Sequence, residues 1–131
     1  SNKGRTFYNN VLRASHASNP AAVYSARGVA GSIFEGLTLT YDNGSSVYNV
    51  VTPDVITPVN GSQAALYYGA SSGTNCAAVQ YRDPVSGSGV VYMTIPFETI
   101  TNVSVRNQMM VAALTYLEPV NTAASDWQLF E

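Results

Sequence analysis

The residues able to do covalent or acid–base chemistry in this chain are few and far apart. There is one histidine, His16, one cysteine, Cys76, and a carboxylate, Glu98, at a sharp corner. A nucleophilic cysteine needs a helix N-terminus or a cationic neighbour to lower its pKa. Cys76 sits instead in Asn75-Cys-Ala-Ala-Val-Gln-Tyr81, an apolar run that reads as a buried strand, so its expected role is packing. His16 falls in the polar run 15–20, far in sequence from any acid or nucleophile, as an exposed loop histidine does. A Ser–His–Asp site would have to use it, and no Gly-x-Ser-x-Gly elbow accompanies it. One His and one Cys cannot complete a structural zinc site. Asp42-Asn-Gly-Ser45 is superficially like a calcium loop but lacks the later bidentate Glu, so a hairpin turn is expected. The loop 86–89 is too short for a phosphate loop and has no lysine. No catalytic, cofactor-binding or metal-binding residue is assigned, and no cofactor is expected.

The elements that would position such residues are easier to read. Gly89-Val-Val-Tyr-Met-Thr-Ile-Pro-Phe-Glu-Thr-Ile100, followed by 101–117, reads as a central apolar strand, a tight corner and an amphipathic helix. Many α/β enzymes place catalytic groups at such a corner. Here Pro96 and Phe97 stand beside Glu98, which a following helix N-terminus would favour through its dipole. The helix shows Val105, Met109, Ala112, Ala113, Tyr116 and Leu117 along one face, with Asn102 or Ser104 as its cap and Pro119 as its stop. Upstream, 3–14 reads as a short helix, 15–20 as a polar breaker, and 23–29 as a strand. Segments 37–41 and 47–51 read as a hairpin around Asn43-Gly44. Pro53 and Pro58 bracket an extended or edge segment, and 64–68 and 76–81 read as two further strands. Residues 1–119 form one α/β domain or part of one. Residues 120–131 form an irregular tail whose apolar end, Trp127, Leu129 and Phe130, would dock on this domain or lead into another.

At 131 residues the chain is long enough for one domain with a sizeable core. Only 11% of residues are charged, against about 25% in ordinary soluble domains, and Ser, Thr, Asn, Gly and Tyr carry the polarity. That balance suits an extracellular or cell-surface protein, or a domain covered by partners. Six basic residues are scattered along a chain of net charge −2, which argues against a nucleic-acid partner. No apolar run reaches the ~20 residues of a membrane span. A single cysteine excludes an internal disulfide. Of nine tyrosines, Tyr67, Tyr68, Tyr81 and Tyr92 fall on expected strands. Exposed, they and Trp127 would be contact residues for a glycan or a protein; half-buried, they would be sheet packing.

Four segments stand in one order: Val29-Ala-Gly-Ser-Ile-Phe-Glu-Gly-Leu37, Thr52-Pro-Asp-Val-Ile-Thr-Pro58, the pair 64–68 and 77–81, and Val90-Val-Tyr-Met-Thr-Ile-Pro-Phe-Glu-Thr-Ile100 closed by Arg106 and Met110. Over roughly residues 5–117 they resemble the C-terminal part of a domain of secreted bacterial xanthan-lyase-like or golvesin-like proteins. That domain is itself similar to class I glutamine amidotransferases and trehalose-utilisation-type folds. The resemblance implies a partial flavodoxin-like α/β sheet with a β-hairpin insertion and a C-terminal amphipathic helix. The family's earlier βα units have no counterpart here, which would leave sheet edges open, so a β-rich sandwich with two helices is the alternative. An amidotransferase needs a cysteine elbow and a His–carboxylate pair. Pro96 and Phe97 stand where that histidine would be. The expected function is a non-catalytic structural or binding module contacting other chains, the rest of a larger polypeptide, or glycan. The alternatives are a self-assembling subunit of an extracellular filament or shell, and a polysaccharide-degrading component using Glu98 with Asp54 or Tyr92.

Overall fold

A computed structural model describes residues 2–20 and 23–118. The chain runs α1 (Asn2–Asn10), β1 (Ala14–Ser18), β2 (Ser25–Gly28), β3 (Thr38–Thr40), β4 (Val55–Pro58), β5 (Gln63–Tyr68), β6 (Cys76–Arg82), β7 (Gly89–Met93), a single 3-10 turn (Phe97–Thr99) and α2 (Val103–Leu117). The strands join in one seven-stranded sheet of order β1-β4-β6-β5-β2-β3, with β7 also paired to β6. Every strand pairing among the described residues is antiparallel. The sheet with two helices is therefore as expected, whereas the parallel ladders of a flavodoxin-like sheet are not found among these pairings. One sheet with helices packed on it also replaces the alternative of a two-sheet sandwich.

β6 is the hub. Residues Cys76 to Gln80 are all buried, and the strand pairs with β5 on one edge and with β4 and β7 on the other. A strand covered on both faces reads as a continuous apolar run, which is why its sequence does not alternate. The expectation that β7 is central is corrected: β7 pairs only with β6 and all five of its residues are half-buried. The register of β5 on β6 slips between Ala64 and Tyr67. This lets neighbouring Ala77 and Ala78 both enter the main core, with Phe34, Leu39, Tyr41, Leu66, Ile95, Ile100 and Met109. Cys76 and Val79 join Ala14 and Ile56 in a second cluster, covered by Tyr8 of α1. The two clusters occupy opposite faces of β6, with α2 on the first and α1 on the second.

Three segments differ from expectation. The first helix stops at Asn10, and Arg13 takes a positive φ of 60° that turns the chain into β1. Its carbonyl is claimed by Ser62 Oγ (2.7 Å) and the Val59 amide (3.2 Å), so the polar run after it is drawn into the sheet as an edge strand on β4. The second half of the expected hairpin is no strand. Residues 43–49 curl around Asp42, with one isolated bridge, Asn43 to Asn49. Last, α2 is capped by Asn102, whose side chain accepts from the Val105 amide (3.1 Å), yet it is not amphipathic. Val105, Met109 and Ala112 face the core, while Val103, Met110, Val111, Leu114 and Leu117 are exposed. The tail 120–131, with Trp127, lies outside the described residues. No helix among the described residues is long and apolar enough to cross a membrane.

Candidate functional site

Sequence reasoning separated His16 from every acid, and the sheet removes that separation. β1 pairs with β4 so that His16 lies opposite Ile56, and Ile56 in turn lies opposite Cys76. Directly opposed residues share a face. Ile56 therefore stands between the imidazole and the thiol, and the two do not form a catalytic pair. The Cys76 thiol is buried and donates to the Ala78 carbonyl (3.1 Å). Burial pushes its pKa up to about 11, the reverse of what a nucleophile needs. The packing role expected of Cys76 is the one it has.

Asp54, two residues before Ile56, brings a carboxylate to the imidazole: His16 Nε2 and Asp54 Oδ1 are 3.6 Å apart. His16 also faces Asn19 Oδ1 at 3.5 Å. Asp54 is held from behind. Its main-chain carbonyl accepts from Tyr68 Oη (2.8 Å) and Thr94 Oγ1 (2.9 Å), and those two hydroxyls are themselves 2.8 Å apart. Two other chain segments thus fix the backbone of Asp54 while its side chain stays about half exposed. Across from it, α1 presents Arg5, Tyr8 and Asn9, at the three- and four-residue spacings that share a helix face. Together with Gly4, His16 and Asp54 they enclose an open cleft of about 510 Å³. Tyr8, which lines the cleft, packs on Tyr92: the two rings meet edge-on at 5.4 Å, with their hydroxyls 3.1 Å apart. Burial, and then that hydrogen bond, raise the pKa of the Tyr8 phenol above its ordinary value.

The contact tyrosines named from the sequence do not make one platform. Tyr68 is buried with its hydroxyl committed to Asp54 and Thr94. Tyr92 lies under Tyr8, Tyr81 has the Arg13 guanidinium 4.2 Å above its ring, and Tyr67 has that of Arg27 at 5.5 Å. Each ring is used within the fold. Glu98 does not line the cleft. It sits in the 3-10 turn, where its own main-chain amide and then the Tyr48 hydroxyl, from which it accepts (2.8 Å), lower its pKa.

A second surface carries a different signal. The exposed residues of α2 divide into a mainly apolar stripe, Val103, Asn107, Met110, Val111, Leu114 and Leu117, and a polar flank, Ser104, Gln108 and Thr115. Val111 is 64% exposed and Leu114 56%. Ile33, Glu35 and Leu37 form one bank of a shallow groove of about 710 Å³, whose other bank is Val103, Val111 and the polar Ser104, Asn107 and Gln108 of α2. A helix that carries apolar residues on its solvent side as well as its core side is ordinarily covered on both. The single charge on α2, Arg106, is turned inward to donate to the Ile100 carbonyl (3.1 Å). The sequence signal was present in Met110, Val111 and Leu114, but a one-face reading of the helix passes over it.

Comparison with protein-family models, with curated proteins and with solved structures finds no match to this chain.

Proposed function

We propose that this chain is a non-catalytic binding module that works by protein–protein contact, and that its contact surface is the outer face of α2. The observation that carries this reading is the uncharged stripe of Val103, Met110, Val111, Leu114 and Leu117 on the solvent side of a helix already buried on its other side. A contiguous exposed apolar surface of this kind marks an interaction site in a soluble protein. The non-catalytic part rests on the committed state of the reactive groups. The thiol is buried and bonded to a carbonyl, and Glu98 is bonded to Tyr48.

The partner we infer is a second copy of the chain, as in a self-assembling subunit. The apolar stripe is centred near Met110 and Val111, so an antiparallel pair of α2 helices would set these two against their counterparts, with Leu114 beside Asn107. The one charge within α2, Arg106, is turned inward, so the helix brings no like charges together, while exposed Glu35 lines the neighbouring groove and exposed Glu118 follows the helix. Family kinship with secreted xanthan-lyase-like or golvesin-like proteins, with an extracellular or cell-surface location, belongs to the same proposal. It is supported by the strand, bend and helix over 89–117; the finer, flavodoxin-like fold it would bring is opposed by the antiparallel ladders.

Sedimentation equilibrium over a wide concentration range tests this. The expected result is a dimer that Val111→Glu and Leu114→Glu each convert to a folded monomer. On an antiparallel pair, Val111→Cys would also oxidise to a covalent dimer, with the buried Cys76 silent. A chain that stays monomeric at every concentration overturns the self-contact. A dimer indifferent to both glutamates moves the interface elsewhere and overturns the assignment to α2.

A further inference from the structure

The five arginines of this chain are used in a consistent way, with one exception that points to the cleft at α1. Arg13 donates to the Asn60 carbonyl (3.0 Å), and Arg27 to the carbonyls of Gly69, Ser72 and Gly73 (3.2, 3.0 and 2.6 Å). Arg82 donates to Gly87 (2.7 Å) and Tyr116, and Arg106 to Ile100 (3.1 Å). These four guanidinium groups fasten loops and helix ends. Arg5 is the arginine without such a bond among the described residues, and it lines the cleft with Asn9, His16 and Asp54.

We propose that this cleft binds a saccharide unit, a neutral ligand rich in adjacent hydroxyls. Three observations select that class. The cleft offers both hydrogen-bonding senses: the Asp54 carboxylate only accepts, Arg5 only donates, and Asn9 and His16 supply both. Adjacent hydroxyl groups, each donor and acceptor, match such a mixed set, and a carboxylate can take two of them at once. The charges of Arg5 and Asp54 oppose one another, so a strongly anionic ligand would meet the Asp54 carboxylate and a cation would meet Arg5. The size, about 510 Å³, lies in the range of small-ligand sites and admits one or two sugar rings. The support behind the site is the clearest sign that it is built. Tyr68 and Thr94 converge on the carbonyl of Asp54 from two other parts of the sheet. A carboxylate with a fixed backbone and an open side chain is the arrangement of a preorganised binding group. Asp54 and Asn9 are ligand contacts in this reading, and Tyr68 and Thr94 are positioning residues.

The test is saturation-transfer NMR on the whole chain with glucose, galactose, mannose, xylose and glucuronate, and their disaccharides, at millimolar concentration. The expected result is binding by at least one neutral sugar. Asp54→Asn would weaken it about tenfold or more, as loss of a hydrogen bond to a charged group does. Asn9→Ala would weaken it less, and both variants would melt where the parent does, since both side chains reach solvent. Val111→Glu would leave sugar binding unchanged, so failure of the α2 contact and failure of this site read out separately. Binding of none of these sugars overturns the proposal, as does sugar binding unaffected by Asp54→Asn. Binding of inorganic phosphate that is lost in Arg5→Ala and retained in Asp54→Asn, with no sugar bound, makes the cleft an anion site and also overturns it.

Discussion

Asp42 shows how much one side chain organises here. Its carboxylate is buried, and it accepts from the main-chain amides of Gly44, Ser45, Ser46, Val47 and Tyr48, at 2.9 to 3.1 Å for all but the shorter Val47 bond. Those amides, Val47 first, hold its pKa near 2 against an ordinary 3.8. A folded pKa below the unfolded one means that the carboxylate's stabilisation is complete above about pH 4 and is lost as the pH falls toward 2. Asp42→Asn puts an amide donor where amide donors converge. We expect it to lower the melting temperature at neutral pH by more than Asp83→Asn, whose carboxylate accepts only from Val85 and Ser86 on an exposed loop. The parent's stability should fall over pH 4 to 2 more steeply than the variant's, as thermal melts across that range would show. Cys76 supplies a second expectation. With a thiol pKa pushed up to about 11 and no exposed surface to speak of, it should not react with a disulfide reagent in the folded protein, and should react at once in denaturant. Prompt labelling of the native chain would contradict the buried packing role.

α2 separates packing from function on a single element. Met109 is buried against the core and Val111, two residues on, is exposed. Met109→Ala should cost about 2–5 kcal/mol, the range for deleting a large buried side chain. Val111→Ala should stay within about 0.5 kcal/mol in the monomer, as an exposed substitution does. Urea titrations at low protein concentration would measure both, and a large cost at Val111 there would mean that the outer face is already covered. The turn after β2 makes a tighter demand. Gly28 lies against the main chain of Phe34 and Glu35, and a Cβ at Gly28 would overlap the Phe34 carbonyl. The Gly28 amide also donates to the Leu37 carbonyl (2.8 Å), so the loop cannot back away without losing that bond. Gly28→Ala should destabilise by about 1–3 kcal/mol, the cost of overpacking a fitted site, and denaturant unfolding would detect it.

At the scale of the whole molecule, the strands over 25–28, 63–68, 76–82 and 89–93 and the helix over 103–117 were legible, because apolar period and turn residues are local properties of a chain. The buried state of Cys76 followed from its apolar neighbours in the same way. The direction of pairing, the place of β7 at the side of β6 and the recruitment of residues 14–18 into the sheet were not legible, because hydrogen bonds between strands join residues far apart in sequence. The conversion of 43–49 from hairpin strand to a loop around Asp42 has the same origin: one carboxylate satisfied five amides that a partner strand would otherwise have taken. The candidate site was least visible of all. His16 and Asp54 are 38 positions apart, Arg5 and Asn9 come from a helix, and only the β1–β4 ladder and the packing of α1 bring them to one cleft. What the chain alone determined is therefore its local elements and the burial of its thiol. Which groups face one another, and so which chemistry they share, was decided by tertiary contacts, because that depends on register and on which faces are covered.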